Sequence, residues 1–475
     1  MSDKFEVDRQ EIKEILDSVV NMAMQFYDNL DSHPAAVNPQ PLFQESLPLE
    51  GLGTMKVMEH FLSTYSKSLS GSVGPRFLGF VTGGATPASV AGDWLVSIYD
   101  QNVTSVEDSV AGQLELETIG MLRELFALPK EFSGTFVSGA TMANLVGLAQ
   151  ARQWIAHQQG VDISQEGLYR LPKIKIASGS PHSSIYKSLA ILGMGRQNVT
   201  LIPCIENREA INIEKLRGFL EEQEGVPCIV VANAGTVNTV DYDDLQALGE
   251  LKKEFSFWLH VDAAFGGFAA CSTNYSHFVN GMDKADSITI DAHKWLNVPY
   301  DSAMQFTRHK SLQVEVFQNN AAYLGNSMNQ PEFVHLTPEN SRRFRALPAW
   351  FTLKAYGRLG YQKIVDTNIE LAQLLTRKIQ LSDRFELLAP TRLNVVCFTL
   401  SLKDKKISYE EVQRFLDTLK EDGRVFMTPT MYQGRPGIRA AFSNWRTSAQ
   451  DIEIIWDALN KVSMSNDSSN AEKRE

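Results

Sequence analysis

The chain has 475 residues, 43% of them hydrophobic and 21% charged, and a formal net charge of −11. That is enough chain for two or three domains with a large core, and the acidic balance argues against nucleic acid or an anionic membrane surface as the main partner. The four cysteines (Cys204, Cys228, Cys271, Cys397) form no CxxC pair, which points to reduced thiols in a cytoplasmic protein and gives no metal-ligand cluster. The charged start, Met1-Ser-Asp-Lys-Phe-Glu6, has no apolar core of a secretory signal. No apolar run approaches the ~20 residues that span a bilayer.

In chain order, Ile12, Ile15, Leu16, Val19, Val20, Met24, Tyr27 and Leu30 follow helical spacing with one apolar face. A second helix is expected over Met55 to Ser70. Two such helices ahead of the body need a surface to cover, either the main domain or a second subunit. From about 71 to 350, short β-branched runs alternate with amphipathic helices, the pattern of βαβ units and a mostly parallel sheet. Strands are expected at Thr135–Ser138, Ile174–Ala177, Val199–Ile202, Cys228–Ala232, Phe257–Asp262 and Ser287–Asp291. A long helix, Phe351–Leu381, should open a smaller α+β domain over 351–463. Its strands are expected at Phe385–Leu388, Val395–Leu400 and Gly437–Phe442, and its helices at Tyr409–Leu419 and Ala449–Val462. The polar residues from 464 on read as a disordered tail.

In a parallel α/β sheet the ligand lies beyond the carboxyl ends of the strands, and here those ends carry the unusual polar residues. Ser138-Gly139-Ala140-Thr141 makes a small-residue turn into a helix N-terminus, where backbone N–H groups and the helix dipole suit a phosphate. A Thr-capped turn explains the same residues structurally. His182, in Pro181-His-Ser-Ser184, opens a helix beside the crevice, either as a cap or as a ring that stacks on a flat ligand. Thr236 follows Gly235 at a third strand end. Asp262 closes an almost wholly apolar strand, where a carboxylate is costly without a cation or hydrogen bonds. A structural ion pair, a cap or a protonated ring nitrogen would each meet it. Lys294, after His293 in Ile290-Asp-Ala-His-Lys-Trp295, is a candidate Schiff-base former. Singly each has a bland explanation; together they supply an aldehyde trap, an acid partner, a stacking imidazole and a phosphate cup.

With these residues in this order, the chain resembles the group II pyridoxal-phosphate-dependent amino-acid decarboxylases of fold type I, the aspartate aminotransferase superfamily. The resemblance runs from about 71 to 445. It rests on Pro75-Arg-Phe-Leu-Gly-Phe80, Leu116-Glu-Thr118, Ser138-Gly-Ala-Thr141, Pro181-His-Ser-Ser184, His260-Val-Asp-Ala-Ala264, His293-Lys-Trp295 and Arg342-Arg-Phe-Arg345. It implies pyridoxal 5'-phosphate on Lys294, Asp262 at the ring nitrogen, His182 on the ring, and Ala140, Thr141 and His293 near the phosphate. Thr82, Thr236, Ala264 and Asp291 would complete the cofactor shell, and the enzyme would be a homodimer whose subunit contact receives the N-terminal helices.

The same resemblance implies decarboxylation of an amino acid to the amine and CO₂. Phe77 and Phe80 match an apolar side-chain pocket, favouring an aromatic or large apolar substrate; Arg76 beside them could instead recruit an acidic one or be a surface ion-pair residue. Aromatic-type members carry a loop tyrosine that returns a proton to Cα, and an ungapped count from Arg342 puts Phe333 there. A phenyl ring cannot donate, so Tyr323 or His335 would have to substitute; otherwise oxygen intercepts the carbanion and the product is an aldehyde with ammonia and peroxide. Arg439, in the small domain, is where an aminotransferase would place a carboxylate clamp.

Overall fold

The computed structural model describes residues 3–38, 45–105, 109–319, 332–401 and 406–472. The large domain is built on a seven-stranded sheet. Its strands are β1 (Ser133–Val137), β2 (Ile176–Ser178), β3 (Val199–Leu201), β4 (Cys228–Asn233), β5 (Phe257–Asp262), β6 (Ser287–Ile290) and β7 (Ala303–Thr307). Their order across the sheet is β1-β7-β6-β5-β4-β2-β3. All neighbours run parallel except β7, which is antiparallel to both β1 and β6. The six expected strands are present to within two residues at each end. β7 was not expected: Ala303-Met-Gln-Phe-Thr307 mixes polar and apolar residues, and only insertion between two strands buries all five.

The centre of the sheet is buried on both faces, so β4 and β5 are buried at every residue and read as unbroken apolar runs. Helix Ala140–His157 lies across one face; its own sequence is nearly apolar all round, and twelve of its residues are buried.

The small domain is a four-stranded antiparallel sheet, in order β10-β11-β9-β8, made of β8 (Phe385–Leu387), β9 (Val395–Leu400), β10 (Thr428–Tyr432) and β11 (Arg435–Ala441). β10 was missed because Pro429 breaks its pattern. A capping box at Ser408 and Glu411 starts helix Tyr409–Asp422, and Gly423 in the left-handed region ends it. The long helix begins at Ala346, five residues before expected, and is interrupted at Gly357, whose φ of 58° and ψ of −171° are not helical. The last helix runs from Ala449 to Glu472, into the stretch whose polar composition predicts no structure. Its buried first half (Ile452, Ile455, Leu459) anchors it, and propagation costs little once a helix is nucleated.

The two domains are stitched through the segment 75–86. Arg76, read from sequence as a substrate residue or a surface pair, is neither: its guanidinium is buried, pairs with Asp451 at 2.7 Å and donates to the Asp31 and Arg424 carbonyls. Gly83 presses on the functional segment itself, since a Cβ there would stand 1.6 Å from the Lys294 backbone oxygen. Gly83→Ala must therefore push the two segments apart, at a cost of about 1–3 kcal/mol or more. Thermal melting should place the variant several degrees below the parent; an unchanged midpoint would contradict this packing.

Candidate active site

The carboxyl ends of β1, β2, β4, β5 and β6 open onto one crevice of about 650 Å³, roofed by Thr430 and Arg439 of the small domain. Gly139, Ala140 and Thr141 line one corner of it. Ala140 opens an 18-residue helix with no side-chain cap, so the first-turn N–H groups have no intrahelical partner. His182 caps the next helix, its Nδ1 accepting the Ser184 N–H at 3.2 Å, and also lines the crevice. Cap and crevice residue are here one residue. Burial lowers its pKa first, Asp262 opposes that, and Lys294 and Arg439 lower it further.

Asp262 is 5% exposed. Its Oδ2 accepts from Asn144 Nδ2 at 3.0 Å and its Oδ1 from the Ala264 N–H at 3.2 Å. Among the described residues, no cationic side chain is within ion-pair distance of it, although a buried carboxylate calls for one. The structural ion pair considered from sequence is thus absent among those residues, and a cation supplied by a ligand fits the place.

Lys294 sits on the short helix Ala292–Trp295 after β6. Its Nζ is 3.4 Å from Asp291 Oδ2 and 5.6 Å from the Phe265 ring centre. Burial raises the Asp291 pKa, but Lys294 and His293 outweigh it and hold the carboxyl below its ordinary value. His293 Nδ1 accepts the Ser302 N–H at 3.2 Å, which leaves its Nε2, 3.1 Å from Asp291 Oδ1, to carry the proton.

Ala264, His293 and Asp291 all line the crevice, as does Thr236. The Thr236 hydroxyl, however, donates to Glu209 at 2.5 Å and accepts the Asp241 N–H, so its proton is committed to the wall. Ser138 falls just outside the lining. Thr82 stands behind it, its hydroxyl on the Gly79 carbonyl and the Tyr300 hydroxyl. Phe80 lines the crevice mouth and is 63% exposed; it and Val81 both adopt φ near +60°, a conformation non-glycine residues rarely hold. Phe77 is buried behind it against Phe426, ring centres 4.7 Å apart.

Phe333, expected on a loop over the crevice, is only 2% exposed and packs in the core with its ring 4.8 Å from the Arg342 guanidinium carbon. Arg342 explains the placement: buried and paired with Glu115 at 2.8 Å, its planar cation is covered by an aromatic face. His335 is buried beside it and accepts the Asn319 N–H at Nδ1. Tyr323 lies outside the described residues.

Sequence reasoning assigned no role to Asn144, Glu209 or Phe265. Asn144 was findable: it lies four residues after Ala140, on the same helix face. Arg439 was noted as a clamp and does reach the crevice. It is buried, donates to the Val237 carbonyl at 3.0 Å, and its Nε has no partner among the described residues.

Asn144 also ties the site to His260, whose Nε2 is 2.9 Å from Asn144 Oδ1. Burial takes the His260 pKa down to about 4. A histidine held below its unfolded value of about 6.5 contributes stability that is complete above pH 6.5 and lost as pH falls toward 4. The whole effect is bounded near roughly 3 kcal/mol. Thermal melts should find the stability difference between the parent and His260→Gln shrinking over that window; a difference constant with pH would mean that His260 is not buried neutral.

The pyridoxal-dependent decarboxylase conserved domain matches residues 37–401. The chain belongs to that family: it is a pyridoxal-phosphate-dependent carboxy-lyase of fold type I. Over 469 residues it is 28% identical to the aromatic-L-amino-acid decarboxylase of Bacillus atrophaeus, covering 95% of each chain. It is 26% identical to the phenylacetaldehyde synthase of Petunia hybrida, covering 95% of this chain and 94% of that one. The structure of Oryza sativa TDC with PLP and tryptamine superposes with a TM-score of 0.89 at 22% identity, over 96% of this chain and 98% of the other.

Proposed function

We propose that the protein decarboxylates an L-amino acid with an aromatic or large apolar side chain to the amine and CO₂, with pyridoxal phosphate held as a Schiff base on Lys294. The observation that carries the reading is Asp262, a buried carboxylate at a strand end with hydrogen bonds but no cation among the described residues. Its charge is the partner a protonated pyridine nitrogen needs. When bound, the cofactor supplies the electron sink for the bond to CO₂. The chain's residues do the rest. The N–H groups of Gly139, Ala140 and Thr141 would hold its phosphate. His182 and Ala264, both in the crevice lining, would contact its ring, and Asp291, 3.4 Å from the Lys294 nitrogen, keeps that nitrogen oriented. Arg439, whose Nε has no partner among the described residues, is the group to orient the substrate carboxylate. The exposed Phe80 ring supports an apolar substrate side chain.

A second reading, oxidative deamination to the aldehyde, is favoured by the burial of Phe333, which leaves no acid from that position at the crevice. Incubation in air with a panel of L-amino acids, following CO₂, amine, aldehyde and peroxide together, separates the two. Amine equimolar with CO₂ is the expected result. Aldehyde with peroxide would establish the second reading, and keto acid formed only with an amino acceptor would refute both.

A homodimer in the cytoplasm completes the proposal. The helices Ile12–Asp28 and Thr54–Thr64 leave Ile12, Leu16, Val20, Met24, Val57 and Phe61 exposed, an apolar face that a second copy of the chain would cover. Light scattering should give twice the 53.1 kDa chain mass, and Leu16→Glu with Val20→Glu should reduce it toward one. The four free cysteines support a reducing compartment. Burial pushes Cys228, Cys271 and Cys397 up to about 12, so these thiols stay inert.

A further inference from the structure

A run of buried polar groups leads from the crevice through the sheet, and its donors and acceptors can be assigned one by one. Ser184 N–H is a backbone donor 3.2 Å from His182 Nδ1, so Nδ1 carries no proton and the neutral ring has its hydrogen on Nε2. Ser184 Oγ lies 2.8 Å from the same nitrogen and must also donate to it. The oxygen of Ser184 in turn accepts from Asn144 Nδ2 at 3.1 Å, whose other hydrogen goes to Asp262 Oδ2 at 3.0 Å.

Asn144 is fully buried, and an ionised carboxylate can only accept, so its amide has one possible orientation. Its Oδ1 then faces His260 Nε2 at 2.9 Å, which must carry a proton. His260 Nδ1 is left to accept from Ser287 Oγ at 2.8 Å. The Ser287 oxygen is filled by the indole N–H of Trp258 at 2.9 Å. His182 Nδ1 thus shares its one lone pair between the two Ser184 donors, the hydroxyl the closer of them.

We infer that Asn144 is a positioning residue that sets the direction of this chain of hydrogen bonds. By it the Ser184 hydroxyl is turned onto His182 Nδ1 and the Asp262 carboxylate is held in place. Its importance for turnover rests on the decarboxylase reading; the hydrogen-bond order does not. A carboxyl at position 144 removes the amide donor from Ser184 Oγ and offers it an acceptor instead, so the Ser184 hydroxyl hydrogen turns away from His182 Nδ1 and leaves the backbone N–H as that nitrogen's remaining donor. The charged groups around His182 are Asp262, Asp291, Lys294 and Arg439, and in this variant the new carboxyl shares a proton with Asp262 beside it.

The test is a long-range ¹H–¹⁵N correlation of the ¹⁵N-histidine-labelled holoenzyme at neutral pH, with His182 assigned by its loss in His182→Gln. The parent should display an unprotonated Nδ1 and a protonated Nε2 at His182. Asn144→Asp and Asn144→Ala should each move the His182 Nδ1 shift toward that of an unprotonated nitrogen with a weaker hydrogen bond. In both variants kcat should fall roughly 10–100-fold, the range for supporting residues behind a site, with KM changed much less. A protonated Nδ1 in the parent, which needs no variant to fold, would overturn the inference. So would His182 shifts unmoved in both variants. A parent that releases no CO₂ from any amino acid would overturn the decarboxylase reading alone.

Discussion

Lys294→Ala is expected to give a folded protein that forms no borohydride-fixed adduct with pyridoxal phosphate and decarboxylates at least roughly 10³–10⁴-fold more slowly. The lysine has two tasks that alanine cannot do: it forms the covalent link to the cofactor, and its amine is a proton carrier at the reacting carbon, a role commonly worth 10²–10⁴-fold. The fold should survive because the side chain does not hold the segment. Trp295 does, fully buried and donating from Nε1 to Asn368 Oδ1 at 2.8 Å, and alanine suits the helix Ala292–Trp295. The variant leaves the buried Asp291 with His293 alone beside it, so the Asp291 carboxyl should titrate higher than in the parent. Mass spectrometry of the borohydride-reduced protein is the measurement. A reduced adduct persisting in the variant would move the Schiff base to another lysine.

Asp262→Asn should cost about 10³-fold in kcat and leave the fold intact. An opposite charge about 4 Å away at an effective dielectric of 20 is worth roughly 4 kcal/mol, which corresponds to about a thousandfold in rate if it is spent on holding the ring nitrogen protonated. The asparagine is nearly isosteric and can still present an oxygen to Asn144, so the loss isolates the charge from the shape. Asp262→Glu would keep the charge and misplace it, and its activity should lie between the two. Steady-state kinetics with circular dichroism as the control decides the point. An asparagine variant within tenfold of the parent would leave Asp262 a structural carboxylate.

Much of this site can be read from the sequence because it is built at strand ends. A parallel strand buried on both faces announces itself as an apolar run, and the residue that follows it is placed at the crevice whatever the neighbouring strands are. His182, Asp262, Lys294 and the turn at Gly139 are all such residues, and the chain itself sets where they stand. What joins them depends on which strands are neighbours. Arg439 reaches the crevice only because the small domain folds back over it; Arg76 meets Asp451 across 375 residues; β7 exists because a gap between β1 and β6 accepts it. Phe333 illustrates the same limit. Its alignment to a loop position was a matter of counting, whereas its burial follows from an arginine nine residues on that had to be paired, within the core, with Glu115 and covered. Local sequence determines backbone conformation and which face a side chain takes. The partner it meets is set by topology, because the cost of burying a charge or an amide can be met only by a group that the fold brings from elsewhere.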